Sequence, residues 1–120
     1  MLEITKTFSF EAAHFQPNAP LGHPNARVHG HSFIADVTLA GTPDDTHGMI
    51  RNLDEVDAAL AGVRADLDHH LLNEVPGLKF PTMEMLCLWI YDRLKADLPE
   101  IVAVSIRRPT VGQSCTYRRT

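Results

Sequence analysis

Three histidines carry the first chemical signal of the sequence. His29 and His31 stand one residue apart in RVHGHSF (27–33), and His14 ends an alternating segment before them. Residues i and i+2 of a strand share a face with β-carbons about 7 Å apart, close enough to grip one ion from two sides. Catalytic zinc commonly takes three protein ligands and keeps a fourth position for water or substrate, and His14 is the natural third. On spacing alone two readings stand: a metal site, or histidines satisfied by hydrogen bonds on a packed sheet. A second cluster, LDHHLLNE (67–74), sets Asp68 beside His69. A carboxylate fixes the tautomer of a neighbouring imidazole and raises its basicity, which makes a proton-transfer group near neutral pH. The other reading is that Asp68 ends a helix while His69 and His70 lie in a solvated loop.

The elements that must position these groups follow from periodicity. In residues 2–14, Leu2, Ile4, Phe8, Phe10 and Ala12 occupy alternate positions and His14 shares their parity, the pattern of a half-buried strand. PNAPLGHPNA (17–26) is a loop by its Pro, Gly and Asn content. A second strand is expected from about Val28 to Ala40, with His29, His31, Phe33, Ala35, Val37 and Leu39 on one face. Residues 52–68 place Leu53, Val56, Leu60, Val63 and Leu67 at helical spacing, with Asp54 and Glu55 at the positive end of the dipole. Thr82 is an N-cap for a second helix lined by Leu86, Ile90 and Leu94 and stopped before Pro99. Residues 101–107 alternate through Val102, Val104 and Ile106, and QSCTYRR (113–119) pairs as a last strand. The order ββααββ predicts a single α+β domain over residues 1–120, an antiparallel sheet with two helices on one face. The sheet edges left open predict subunits joined edge to edge in a closed homo-oligomer.

Composition narrows the function classes. A length of 120 residues suits one domain and at most one active site per chain. The net charge of −4, with no run of like charges, argues against an electrostatic grip on nucleic acid or anionic membrane. MLEITKTFSF has neither a basic leader nor an apolar core, and no apolar run approaches the roughly 20 residues of a membrane span. Cys87 and Cys115 belong to no C-x-x-C pair. A soluble, cytoplasmic protein with a small-molecule substrate is the expectation.

FSFEAAH (8–14), HGHSF (29–33), GMI (48–50), LDHHLLNE (67–74) and PTME (81–84), in that order and across essentially the whole chain, resemble the 6-pyruvoyl- and 6-carboxy-tetrahydropterin synthase family. The resemblance implies a tunnelling fold, in which three ββααββ chains close a barrel and two trimers often stack into a hexamer, with active sites at subunit interfaces. It implies that His14, His29 and His31 bind Zn2+, and that Asp68 and His69 are the catalytic pair.

Two departures stand out from the family's pattern. Where members that make tetrahydropterins carry a proton-shuttling cysteine, this chain has Asn25, whose amide has no pKa near 7 and can only orient or hydrogen-bond. Where the family has a Glu-Thr that anchors the pterin ring, this chain has Pro109-Thr110. GMIRNL also lacks an acidic residue near Asn52, and Met85 replaces a usual Asn. Asn25, Thr82, Glu84 and Arg107 are the candidate substrate-binding residues; of the Arg107–Arg108 pair, the one facing the pocket can take a carboxylate or phosphate bidentately.

The expected function is a divergent family member using zinc-assisted acid-base chemistry, an elimination, isomerisation or retro-aldol lyase reaction on a carbonyl or polyol side chain, with an altered substrate. Two alternatives are an aldehyde-amine condensation of the Mannich or Pictet-Spengler type in specialised metabolism, and a non-catalytic metal-binding homologue.

Overall fold

The computed structural model describes all 120 residues. β1 (Leu2–His14) and β2 (His29–Gly41) form a long antiparallel pair; α1 (Leu53–Leu67) and α2 (Met83–Leu94) follow; β3 (Ile101–Arg108) and β4 (Gln113–Arg118) complete the chain. The four strands make one sheet in the order β1-β2-β3-β4, every pair antiparallel. The ββααββ order expected from periodicity is therefore observed, and strand and helix limits fall within a residue or so of those read from the sequence except at the end of α2, which stops at Leu94, well before Pro99. No helix is long and apolar enough to cross a membrane.

Alternation decides the two faces of the sheet. Phe10 and Ala12 of β1, Phe33, Ala35, Val37 and Leu39 of β2, and Val104 and Ile106 of β3 are buried against the helices. The helices answer at their own period with Val56, Leu60, Val63 and Leu67 from α1 and Leu86, Cys87, Ile90 and Leu94 from α2, all in one apolar cluster. Phe10 and Phe33 face each other across β1 and β2, their rings stacked 5.0 Å apart. The far face is polar: Thr5 bonds Thr38 at 2.9 Å, the Thr7 hydroxyl donates to Asp36 at 2.6 Å, and Ser105 bonds Thr116 at 3.1 Å.

Caps set the helix limits. The Asn52 side chain accepts the Asp54 N–H at 2.8 Å at the start of α1, and Thr82 accepts the Met85 N–H at 3.2 Å at the start of α2. The β1–β2 pair outruns the helices at its far end, where Leu2 is 58% exposed. At the opposite end it remains covered, which is why His14, though polar, is only 1% exposed.

Phe33 has no exposed surface and packs at the centre of this layer. Phe33→Ala should destabilise the fold by about 3–5 kcal/mol, the usual range for truncating a buried aromatic ring. Urea unfolding at fixed protein concentration checks this; a loss under about 1 kcal/mol would show that the ring does not hold the sheet to the helices.

Candidate functional site

The register of β1 against β2 sets His14 directly opposite His29, and His31 opposite Ala12. The three rings meet with centroids 4.7 to 5.0 Å apart, and one ligand atom from each lies within 4.8 Å of the others. Nδ1 of His14 is 2.8 Å from the Pro81 carbonyl, and Nδ1 of His29 is 2.7 Å from the Arg27 carbonyl. A carbonyl only accepts, so both Nδ1 atoms carry the proton and both Nε2 lone pairs are left free. Nε2 of His14 is buried without any hydrogen-bond partner, an arrangement that disfavours folding unless something fills the gap. Burial lowers the His14 pKa, with the Pro81 bond opposing in part. Burial, then the charge of Arg108, lowers that of His31 to about 4. The three imidazoles thus offer converging nitrogen donors, a set that fits a divalent cation with one position open.

Arg108, the last residue of β3, joins this group. Its Nη1 lies 3.4 Å from His31 Nε2, its Nη2 donates to the Gln113 side-chain oxygen, and its Nε is buried with no partner. Burial lowers the Arg108 pKa, with Glu84 acting through space in the other direction. Arg107, the residue read from the sequence as the substrate contact, is elsewhere. It pairs in register with Ile34 and turns to the polar face, where Nε and Nη2 reach Asp36 at 2.7 and 3.1 Å. That bond holds the Asp36 carboxyl below the usual carboxylate range, against the effect of burial. The parity shared by Val104, Ile106 and position 108 is the signal in the sequence that singles out Arg108.

Asp68 follows α1 as its C-cap. Its Oδ1 accepts the Glu11 N–H at 2.8 Å, the His69 N–H reaches the Glu11 carbonyl at 2.6 Å, and the Ala13 N–H reaches the His70 carbonyl at 3.0 Å. The segment after α1 thereby seals the outer edge of β1 next to the histidines. Oδ2 of Asp68 meets His69 Nδ1 at 2.8 Å and the Arg64 guanidinium at 3.4 Å. The Glu11 N–H, then His69, lowers the Asp68 pKa. His69 is the one non-glycine residue with a positive φ, 59°. That conformation costs an ordinary residue about 1–2 kcal/mol, and the bonds on either side hold it in place. Its ring is 80% exposed, with Nδ1 turned to Asp68.

A cleft of about 590 Å³ brings His31 and His69 onto one surface with Glu11, Ser32, His70 and Thr110. The Ser32 hydroxyl donates to Glu11 at 2.7 Å on its floor. Asn25 and Thr82 line a separate cleft of about 440 Å³ with His23, Phe80 and Pro81. There the Asn25 N–H is bonded by His23 at 3.0 Å, and the Thr82 hydroxyl caps α2. Glu84 lies exposed in the first turn of α2. Of the residues singled out by sequence, His14, His29 and His31 form one cluster and Asp68 and His69 one pair; His31 and His69 line the larger cleft, Asn25 and Thr82 the other one, and Arg107 lies on the polar face.

Residues 3–120 match the family model described as 6-pyruvoyl tetrahydropterin synthase. A 6-carboxy-5,6,7,8-tetrahydropterin synthase of Synechocystis is 37% identical over 111 residues, covering 86% of this chain and 83% of the relative. A dihydroneopterin monophosphate aldolase of Pyrococcus furiosus is 32% identical over 91 residues, covering 76% of this chain and 73% of the relative. The structure of 6-pyruvoyl tetrahydropterin synthase from Caenorhabditis elegans superposes with a TM-score of 0.84 at 23% identity, over 99% of this chain and 96% of that one.

The bond from Asp68 to Glu11 separates a structural from a chemical role for the carboxylate. Asp68→Ala should speed amide exchange at Glu11 and its neighbours on the β1 edge while leaving metal uptake by the three histidines intact. Unchanged exchange at Glu11, read by two-dimensional NMR, would refute the sealing role.

Proposed function

Because the chain belongs to the 6-pyruvoyl tetrahydropterin synthase family, a family of lyases and synthases, we propose that it is a zinc-dependent lyase acting on an oxygenated side chain of a small molecule. The observation that carries this reading is the convergence of His14, His29 and His31, with the Nε2 of His14 buried and orphaned, at the end of β1 and β2 whose edge is bonded by the segment carrying the Asp68–His69 pair. Zinc bound by His14, His29 and His31 would supply Lewis-acid polarisation of a substrate oxygen.

The chain's own groups account for the proton movements. Asp68, ionised and bonded to His69 Nδ1, holds the ring with Nε2 as acceptor and stabilises the imidazolium that forms when it takes a proton. In a retro-aldol step His69 Nε2 removes the proton of the hydroxyl β to an electron-withdrawing centre. The carbon–carbon bond then breaks, its electron pair passes to the α-carbon, and the imidazolium returns the proton there. The aldolase name of the Pyrococcus relative supports this class of step.

Two residues favour a substrate other than that of the thiol-dependent members. Asn25 is no proton carrier and lies in the neighbouring cleft. Cys87 cannot stand in for a missing thiol, since it is a core residue whose pKa burial pushes up to about 12. Pro109 brings no carboxylate to the position where the pterin-anchoring acid is expected. Assembly into trimers or hexamers through β4 and the part of the β1 edge before Ser9 that the segment after α1 does not seal, in a reducing cytoplasm, completes the reading.

Purified protein is expected to hold one zinc per chain, and His14→Ala to lose it. His69→Ala should keep its zinc and lose about 10²–10⁴-fold in turnover, the usual worth of a positioned acid-base group. Mass spectrometry with dihydroneopterin monophosphate and triphosphate as substrates reads the reaction. Turnover unaffected by His69→Ala would remove its assigned role, and no product from zinc-loaded protein would exclude both pterin substrates.

A further inference from the structure

Arg108 presents a conflict of charges at the histidine cluster. Its Nη1 sits 3.4 Å from Nε2 of His31, the lone pair that a metal ligand must offer. A guanidinium is never deprotonated in a protein and is donor-only, so it and a divalent ion compete for the same side of His31. Among its donors, Nη2 is taken by Gln113, while the buried Nε has no acceptor. Glu84 acts on it through space, and the next residue, Pro109, brings no side-chain acceptor. Arg107 cannot relieve the cluster, because its fork is already closed on Asp36 on the other face. The site therefore has a cation, three nitrogen ligands that could hold a second one, and a buried Arg108 N–H without an acceptor.

We propose that Arg108 makes the cluster a two-part site, in which a divalent ion on His14, His29 and His31 and an oxyanion held by the Arg108 guanidinium bind interdependently. The substrate class that follows carries a carboxylate or a phosphate-type group next to the centre that reacts. An oxyanion placed between the two cations turns their repulsion into attraction on both sides, and the guanidinium fork matches its geometry bidentately. Without the oxyanion, Arg108 weakens the hold on the ion without abolishing it; with the oxyanion, each ligand strengthens the other by the same factor. The inference rests on the triad being a metal site, and it assigns Arg108 to specificity rather than to proton transfer.

The test uses metal-stripped full-length protein titrated with cobalt(II), followed by the visible absorption of the bound ion. Titrations are run alone, with pyruvate and with methylphosphonate, on the wild type, Arg108→Gln and Arg108→Lys. In the wild type one of the two anions should tighten cobalt binding by about tenfold or more, within the usual range for coupled sites, and the larger effect identifies carboxylate or phosphate recognition. Arg108→Gln should bind cobalt more tightly than wild type without anion and lose the anion effect. Arg108→Lys, which keeps the charge but not the fork, should retain only part of it. An equal anion effect in wild type and Arg108→Gln, or none in cobalt-loaded wild type, overturns the proposal. No cobalt spectrum from wild type instead sinks the metal reading, and this inference with it. Circular dichroism confirms folding of each variant; if the Gln variant does not fold, wild-type coupling in Arg108→Lys is the overturning result.

Discussion

The pairing register of β1 and β2 is the constraint on which the site depends. His14 faces His29 only because Leu2 faces Gly41, and every pair between follows without interruption. A slip of one residue would turn His29 and His31 to the polar face and Phe33 with them. The register is thus held by the core: the Phe10–Phe33 stack and the alternating apolar residues behind it make any other pairing expose a hydrophobic row. The same alternation that builds the sheet–helix layer delivers three imidazoles to one point at its covered end. Stability and ligand geometry are two results of one pattern.

What the core positions, the backbone orients. Carbonyls of Pro81 and Arg27 take the Nδ1 protons of His14 and His29, and both come from irregular segments, one ahead of α2 and one ahead of β2. Rotating the His14 ring would leave the buried Pro81 carbonyl unpaired, and rotating His29 would give up its bond to the exposed Arg27 carbonyl, so both bonds favour the tautomers with Nε2 free. Asp68 shows the same economy. One carboxylate oxygen seals the β1 edge through Glu11 and the other holds His69, so helix end, sheet edge and exposed imidazole are joined by a single side chain. The left-handed backbone at His69 persists because bonds to β1 on both sides hold it there.

The parts of this architecture that repeat were legible in the sequence. Period two in residues 2–14 and 28–40 and helical spacing in 53–67 and 83–94 have a direct physical cause in burial, and the triad was legible because its members ride on that period. Non-periodic placement was not. Nothing in HPNAR or KFPT shows that Asn25 and Thr82 share a cleft apart from His31 and His69, since loop paths are set by tertiary contacts such as His23 on the Asn25 N–H. The edge-sealing role of Asp68 was also hidden, because it depends on where the chain after α1 meets β1. Arg107 and Arg108 fall between these cases. The alternation that buries Val104 and Ile106 extends to Arg108 and sends Arg107 outward to Asp36, so parity, followed one residue further, separates them.

Chemistry at the cleft follows from which donors the fold retains. No thiol reaches it, because Cys87 is locked in the core and Asn25 stands where a cysteine is expected. The acid-base capacity that remains is imidazole, placed in two ways: His14 is buried, which lowers its pKa, whereas His69 is exposed and bonded to Asp68. The two kinds of histidine sit on separate elements, His14 within the β1–β2 pair and His69 in the segment that follows α1, so the cluster and the exposed imidazole share no ligand. In the proposed two-part site a guanidinium suits the place of Arg108 better than a carboxylate would, because a group that selects an oxyanion beside a cation is best cationic itself, and the oxyanion offsets the repulsion between the two cations.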